Sequence, residues 1–289
     1  YEKLSEAIVV IPKPIEAEIE FVTDNLQELY DQTIAKSGLR WRLGCLNRSL
    51  GSLRVGDFGF VFARPERGKT TFLASEVSFM AEKAGASILW FNNEEQGTKV
   101  KIRCLQASLG FTVNELFSSE TLATNEKTYY HKTGNRIKIY DSANIYRKEA
   151  ERIIERIKPS LIIFDQIDKI RGFDADRPDL VFGKIYQWAR ELAKSFAPVI
   201  GTCQSDGTGE GQKWLNMGHV AEAKTTKQAE ADWILGIGAS NDPDEENVRY
   251  LNISKNKLMG DTDSEPSLRH GRFAVLILPE IARYKDPLS

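Results

Sequence analysis

Apolar residues fall along this chain in two rhythms. Short continuous runs, bounded by polar residues, occur at Phe58 to Ala63, Ser87 to Phe91, Leu161 to Phe164, Pro198 to Thr202 and Trp233 to Ile237. Runs of this length and content are expected of strands buried on both faces of a parallel sheet. Ile137 to Tyr140, Arg249 to Ser254 and Arg272 to Pro279 read as further strands. Between them the spacing becomes helical. Phe72, Leu73, Val77 and Met80 form one stripe, closed by Gly85 as a C-terminal stop. Residues 99–109, Lys148 to Ile157 and Leu180 to Phe196 form three more helices, with Ile153, Ile154 and Ile157 facing inward. Phe111 to Thr133 is weakly patterned and polar, and Arg171 to Arg177 reads as a loop. Gln228 to Asp232 reads as a helix or turn, Asp242 to Asn247 as an acidic hairpin turn and Gly260-Asp261-Thr262 as a turn. Strand and helix alternate, which predicts an α/β fold: a mainly parallel β-sheet with helices on both faces.

The first residues follow another pattern. Ala7-Ile8-Val9-Val10-Ile11, closed by Pro12 and Pro14, suits an edge strand or a tail. Ile15 to Ala35 turns helical, with Phe21, Leu26, Leu29, Tyr30 and Ile34 at helical spacing and Asp24 placed to cap its later part. Its stripe needs a cover, either its own domain or a neighbouring subunit. Ser37-Gly38 ends it. This predicts a tail and linker helix over residues 1–36 and a catalytic α/β domain over 37–289.

Composition changes the picture in three places. A net charge of -2 gives no global basic field, so any nucleic-acid site must be a local patch. Cys45, Cys104 and Cys203 are odd in number, far apart and without metal-ligand spacing, which suggests reduced thiols and a cytoplasmic setting. No apolar run approaches membrane-spanning length. The chain starts at Tyr1 rather than Met, as a fragment of a longer protein would.

The chemistry concentrates where the first strand ends. Ala63-Arg64-Pro65-Glu66-Arg67-Gly68-Lys69-Thr70-Thr71 turns a buried strand into a helix. Gly68 lets the backbone approach an anion, and the loop and helix amides converge where the helix dipole favours negative charge. Lys69 is placed for the β- and γ-phosphates of a nucleotide and the Thr70 hydroxyl for Mg²⁺. The strict pattern asks for glycine where Ala63 stands. Asn92-Asn93-Glu94-Glu95 follows the second strand, on the side where α/β sheets hold ligands. Glu94 there is a candidate base for an attacking water, and Glu95 reads as a solvated helix start. Asp165 ends the run Leu161-Ile162-Ile163-Phe164 and is the candidate Mg²⁺ carboxylate. Asp168 is second in line or merely exposed. Gln204, at the tip of the next strand, is placed to sense the γ-phosphate. The Gly-rich stretch Asp206 to Gly218 carries Lys213 and Trp214, a cation for a backbone phosphate and a ring for a base. An ordinary mobile loop is the alternative. Lys224 and Lys227 supply a second basic stretch.

The order of these motifs resembles the RecA-like P-loop NTPase core of DnaB-type ring replicative helicases and their phage relatives, over roughly Gly38 to Leu278. Ala63-Arg-Pro-Glu-Arg-Gly-Lys-Thr-Thr-Phe72 is similar to that family's phosphate loop, in which alanine is the usual first residue. Phe91-Asn-Asn-Glu94 resembles the strand whose glutamate activates water, with Arg103 at a matching basic position. Ile163-Phe164-Asp165 resembles the Mg²⁺ strand, and Gln204 the γ-phosphate sensor. Lys255-Asn-Lys257 resembles a Lys-x-Arg stretch whose arginine enters the next subunit's ATP site. Lys257 keeps the charge there and loses the bidentate fork. The resemblance implies ATP hydrolysis with Mg²⁺, translocation on single-stranded DNA during replication, a hexameric ring of identical chains and primase or other replisome partners in a bacterial or phage-infected cytoplasm. Two alternatives share the core: a RecA- or KaiC-like ATPase, and a weakly hydrolysing paralogue or loader without unwinding activity.

Overall fold

The computed structural model describes residues 22–35 and 38–287. The run Ala7 to Ile11, Phe21 and the start of the first helix lie outside them. Two units separate, 1–36 and 37–289. In the first, α1 (Leu26–Tyr30) is followed by a wider π turn, Asp31–Ala35. Asn25, not Asp24, is its cap: the Asn25 side chain accepts from the Gln27 and Glu28 amides, and the Glu28 carboxylate accepts from the Asn25 amide. That reciprocal capping box outranks the acid one residue earlier.

The second unit continues with α2 (Gly44–Ser49), β1 (Phe58–Ala63), α3 (Lys69–Lys83), β2 (Ile88–Asn92), α4 (Gly97–Leu109), α5 (Val113–Leu116) and α6 (Leu122–Thr133). Then come β3 (Ile137–Asp141), α7 (Arg147–Ile157), β4 (Leu161–Asp165), α8 (Pro178–Ser195), β5 (Val199–Gln204) and α9 (Lys224–Glu230). The chain closes with β6 (Trp233–Gly238), β7 (Val248–Asn256), β8 (Arg272–Leu278) and β9 (Arg283–Lys285). Among the described residues, nine strands form one sheet in the order β3-β2-β4-β5-β1-β6-β7-β8-β9. From β3 to β6 neighbours run parallel, and β6 to β9 form antiparallel hairpins. The mainly parallel expectation stands.

Alternate side chains of the buried strands divide into two cores. Val61, Trp90, Ile163 and Leu235 pack with α3 and α4, whereas Phe60, Phe62, Phe91 and Phe164 pack with α7 and α8. Period-two alternation therefore sorts a continuous apolar run onto two faces, each covered by helices.

Four local expectations are corrected. Phe111 to Thr133 holds α5 and α6, anchored by Leu116 and Tyr129. The helix expected at 228–232 starts at Lys224. β7 extends to Asn256, beyond Ser254. β9 and α2 had no signal strong enough to be expected.

Candidate nucleotide site

Parallel register sets the site. Ala63 is level with Gln204 and Ile237, and Asn92 is level with Asp165. The ends of β1, β2, β4 and β5 therefore open at one edge of the sheet. A cleft of about 330 Å³ there is lined by Glu66, Gly68, Lys69, Thr70, Thr71, Glu94, Glu95 and Arg103. Asp165 lies fully buried at the tip of β4.

The loop backbone is shaped for an anion. Gly68 has φ +95°, and a Cβ there would stand 2.7 Å from the Tyr284 hydroxyl and 2.8 Å from Ile277. Only glycine meets both demands at this point. Glu66 also sits in the left-handed region, at φ 61°. Lys69, the first residue of α3, is buried. Arg64 and Arg67 turn away to Glu210, at 2.9 Å and 3.2 Å. Those two guanidiniums hold the Glu210 carboxyl below the usual carboxylate range.

The acids divide by environment. Glu94 is exposed in the cleft, and Glu95 pairs with Arg103. Burial pushes the Asp165 carboxyl up to about 6, while the Thr202 hydrogen bond and the Lys69 charge pull it back. Thr202 Oγ1 donates to Asp165 Oδ1 at 2.7 Å and accepts from the Gln166 amide at 2.7 Å. Asp165 Oδ2 is buried without a hydrogen-bond partner. An orphaned carboxylate oxygen at a strand tip, with the Thr70 hydroxyl in the adjoining cleft, fits a hard cation that keeps waters and phosphate oxygens as further ligands. Among the described residues, no cluster of three or more His, Cys, Asp or Glu is arranged to hold a metal alone.

Of the residues expected at the site, Gly68, Lys69, Thr70, Thr71, Glu94 and Asp165 gather here. Ala63, Arg64, Pro65, Glu66 and Arg67 form the loop itself. Gln204 stands one strand over at the level of Ala63. Lys255 and Lys257 do not join them. Trp233 pairs with both Gly59 and Asn256, so the end of β7 lies at the edge of the sheet opposite the phosphate loop. Lys255 donates to the Gln228 carbonyl, and burial, then the Lys257 charge, lowers its ammonium to about 8. Lys257 is exposed.

The residues expected to touch nucleic acid separate. Lys213 is partly exposed, pairs with Glu245 at 2.7 Å and lies 5.2 Å from the Tyr250 ring. Trp214 is half-buried, edge-on to Tyr250, with Arg272 over its ring. Lys224 bonds Asp206 and the Gly218 carbonyl, both at 2.5 Å. Lys227 is corrected: its side chain is wholly buried, pairs with Asp168 at 2.8 Å and faces the Phe182 and Tyr186 rings. It offers no charge to a solvent-side ligand. The stretch Asp206 to Gly218 is not a free loop throughout. Gln212 to Leu215 lies flat on β6, where a Cβ at Gly238 would stand 2.1 Å from the Lys213 carbonyl oxygen. Asn252 Nδ2 secures the Leu215 carbonyl at 2.7 Å.

Sequence reasoning missed Glu210, Arg249 and Tyr284. Arg249 Nε donates to the Arg67 carbonyl at 3.1 Å, and the Tyr284 hydroxyl to the Gly68 carbonyl at 3.3 Å. All three reach the loop from over a hundred residues away, where local spacing gives no signal.

No family model and no curated protein sequence matches the chain. Solved structures do. One, solved as an isolated ATPase domain, superposes with a TM-score of 0.74 at 17% identity, over 91% of this chain and 95% of that one. A DnaB-like replicative helicase, solved with attention to its interactions with primase, gives 0.73 at 16% identity, over 93% of this chain and 69% of that one. At such identities the likeness establishes the fold: this is the RecA-like fold of DnaB-type ATPase domains.

Proposed function

We propose that the chain is an ATP-hydrolysing motor domain of the DnaB replicative-helicase type, acting on single-stranded DNA as a homo-oligomeric ring. One observation carries the reading: Gly68-Lys69-Thr70, Glu94 and Asp165 come from three separate stretches of sequence and meet at the edges of neighbouring parallel strands. In this reading the loop amides and Lys69 bind the phosphates, and Glu94 orients and deprotonates water. Thr70 and Asp165 would hold Mg²⁺, whose charge neutralises the phosphate oxygens when bound. Gln204 senses the terminal phosphate through the end of β5. Glu210 ties Arg64 and Arg67 to the stretch that carries Lys213 and Trp214, so phosphate occupancy and DNA grip share a contact. The hexamer, the primase partner and the cytoplasmic setting belong to the same proposal.

The Lys255-Lys257 placement bears on the second reading. These cations are at the edge opposite their own phosphate loop, so any contribution to hydrolysis is made to another subunit. A lysine at position 257 lacks the two-pronged contact of arginine. That favours slow turnover, as in a paralogue or loader.

ATP turnover measured with and without single-stranded DNA, beside unwinding of a forked duplex, tests both. DNA-stimulated turnover with unwinding supports the helicase. Nucleotide binding without unwinding supports the weak or non-unwinding ATPase. No nucleotide binding at all removes both readings.

A further inference from the structure

The phosphate loop is built from a short turn with two residues in the left-handed region, Glu66 and Gly68. Such a backbone holds its shape only where the surroundings over-determine it. Two side chains outside the cleft supply that determination. Arg249, on β7, donates from Nε to the Arg67 carbonyl at 3.1 Å. Its Nη1 is itself fixed on the Glu246 and Val248 carbonyls at 2.7 Å and 2.8 Å. Tyr284, on β9, is buried, sits edge-on to Phe72 at 5.5 Å and gives its amide to Ser75 Oγ at 3.1 Å. Its hydroxyl reaches the Gly68 carbonyl, which also accepts the Phe72 amide at 2.8 Å.

A trans peptide unit is planar, so its C=O and its N–H point in opposite directions. Holding the Arg67 carbonyl toward Arg249 therefore turns the Gly68 N–H away from Arg249. Holding the Gly68 carbonyl toward Tyr284 and the helix turns the Lys69 N–H the other way. Gly68 and Lys69 line the cleft, and Arg249 and Tyr284 do not. We propose that Arg249 and Tyr284 are positioning residues for phosphate binding, which act from behind the loop by fixing the directions of the Gly68 and Lys69 amides. The inference rests on the nucleotide-binding reading above. Arg249 has the larger share, because the Gly68 carbonyl already has a helical partner.

The test is nucleotide binding and steady-state turnover in the full chain, with a fluorescent ATP analogue and the matching ADP analogue as probes. Arg249→Met keeps the aliphatic stem and removes the donor. It should raise Kd for both probes about tenfold, the scale of one hydrogen bond. KM should rise by a larger factor than kcat falls. Arg249→Lys, which returns one donor, should recover part of the affinity. Tyr284→Phe, which keeps the packing, should raise Kd by roughly two- to threefold. Melting of the unliganded variants accompanies each measurement. The inference is overturned if Arg249→Met binds both probes as the parent does. It is equally overturned if its affinity falls only in step with unliganded melting temperature and Arg249→Lys restores nothing. A parent chain that binds neither probe overturns the nucleotide-binding reading and this inference together.

Discussion

At the scale of single residues, two carboxylates next to each other have different jobs open to them. Glu95 is neutralised by Arg103, whereas Glu94 is exposed in the cleft. Glu94→Gln should keep nucleotide binding and slow hydrolysis by roughly a hundredfold or more, the scale of a lost general base. Lys69→Ala should abolish turnover, because the phosphates lose their main cation. Phosphate release under saturating ATP checks both, and near-parental turnover in Glu94→Gln would move the role to another group. For DNA, Lys213→Ala should weaken binding to every single-stranded sequence and make the salt dependence shallower by about one contact. Isotherms at several salt concentrations that match the parent would exclude Lys213. The loop, its lysine and the strand-tip acids were legible in the sequence because each is local: an apolar run followed by its polar tip. The burial of Lys227 was not. Its partner Asp168 and the rings beneath it come from β4's exit and from α8, and no spacing along the chain announces them.

At the scale of elements, legibility followed pattern strength. Continuous runs on the central strands carried their positions well. α5 and α6 have few buried residues and mixed polar faces, so periodicity was weak there. β9 is only three residues long and is held by a hairpin with β8. α3 shows a different limit. Its apolar stripe was clear, yet Glu76 lies buried in the same helix and accepts the Arg42 amide at 2.6 Å and the Leu43 amide at 3.4 Å. Burial pushes this carboxyl up to about 7 from 4.5, against the pull of Arg42. The folded chain thus holds a proton that the unfolded chain releases earlier. Its stabilising contribution is complete below about 4.5 and is lost as pH rises through about 7. Glu76→Gln should therefore lose less melting temperature than the parent between pH 5 and pH 8. Parallel melting curves over that range would contradict the assignment.

At the scale of the whole molecule, the antiparallel turn of β7 decides what the chain can do alone. It carries Lys255 and Lys257 to the edge of the sheet that faces away from the phosphate cleft. If Lys257 works on a neighbour, two disabled variants should repair each other. Lys69→Ala has an impaired cleft and an intact Lys257, and Lys257→Ala the converse. Mixed before assembly, they should turn over more ATP than either does separately. A mixture no better than the sum of its parts would confine Lys257 to a structural role. The sequence showed the paired lysines, but their separation from the cleft is a property of strand order, which only the assembled sheet displays.

The aromatic residues behind the phosphate loop have an optical consequence. Trp233 meets Trp41 edge-on at 5.5 Å, Trp41 meets Phe72 at 6.2 Å, and Phe72 meets Tyr284 at 5.5 Å. Tyr284 then touches the Gly68 carbonyl. The indole of Trp41 also donates to the Gly51 carbonyl at 3.0 Å, which fixes its orientation. An indole held this rigidly emits according to the local field, and a polyphosphate arriving at Gly68 brings several negative charges to the far end of that stack. The chain therefore contains its own reporter: ultraviolet emission excited at the indole band should change on adding ATP. Most of that change should vanish in Trp41→Phe, leaving occupancy of the cleft readable without any dye.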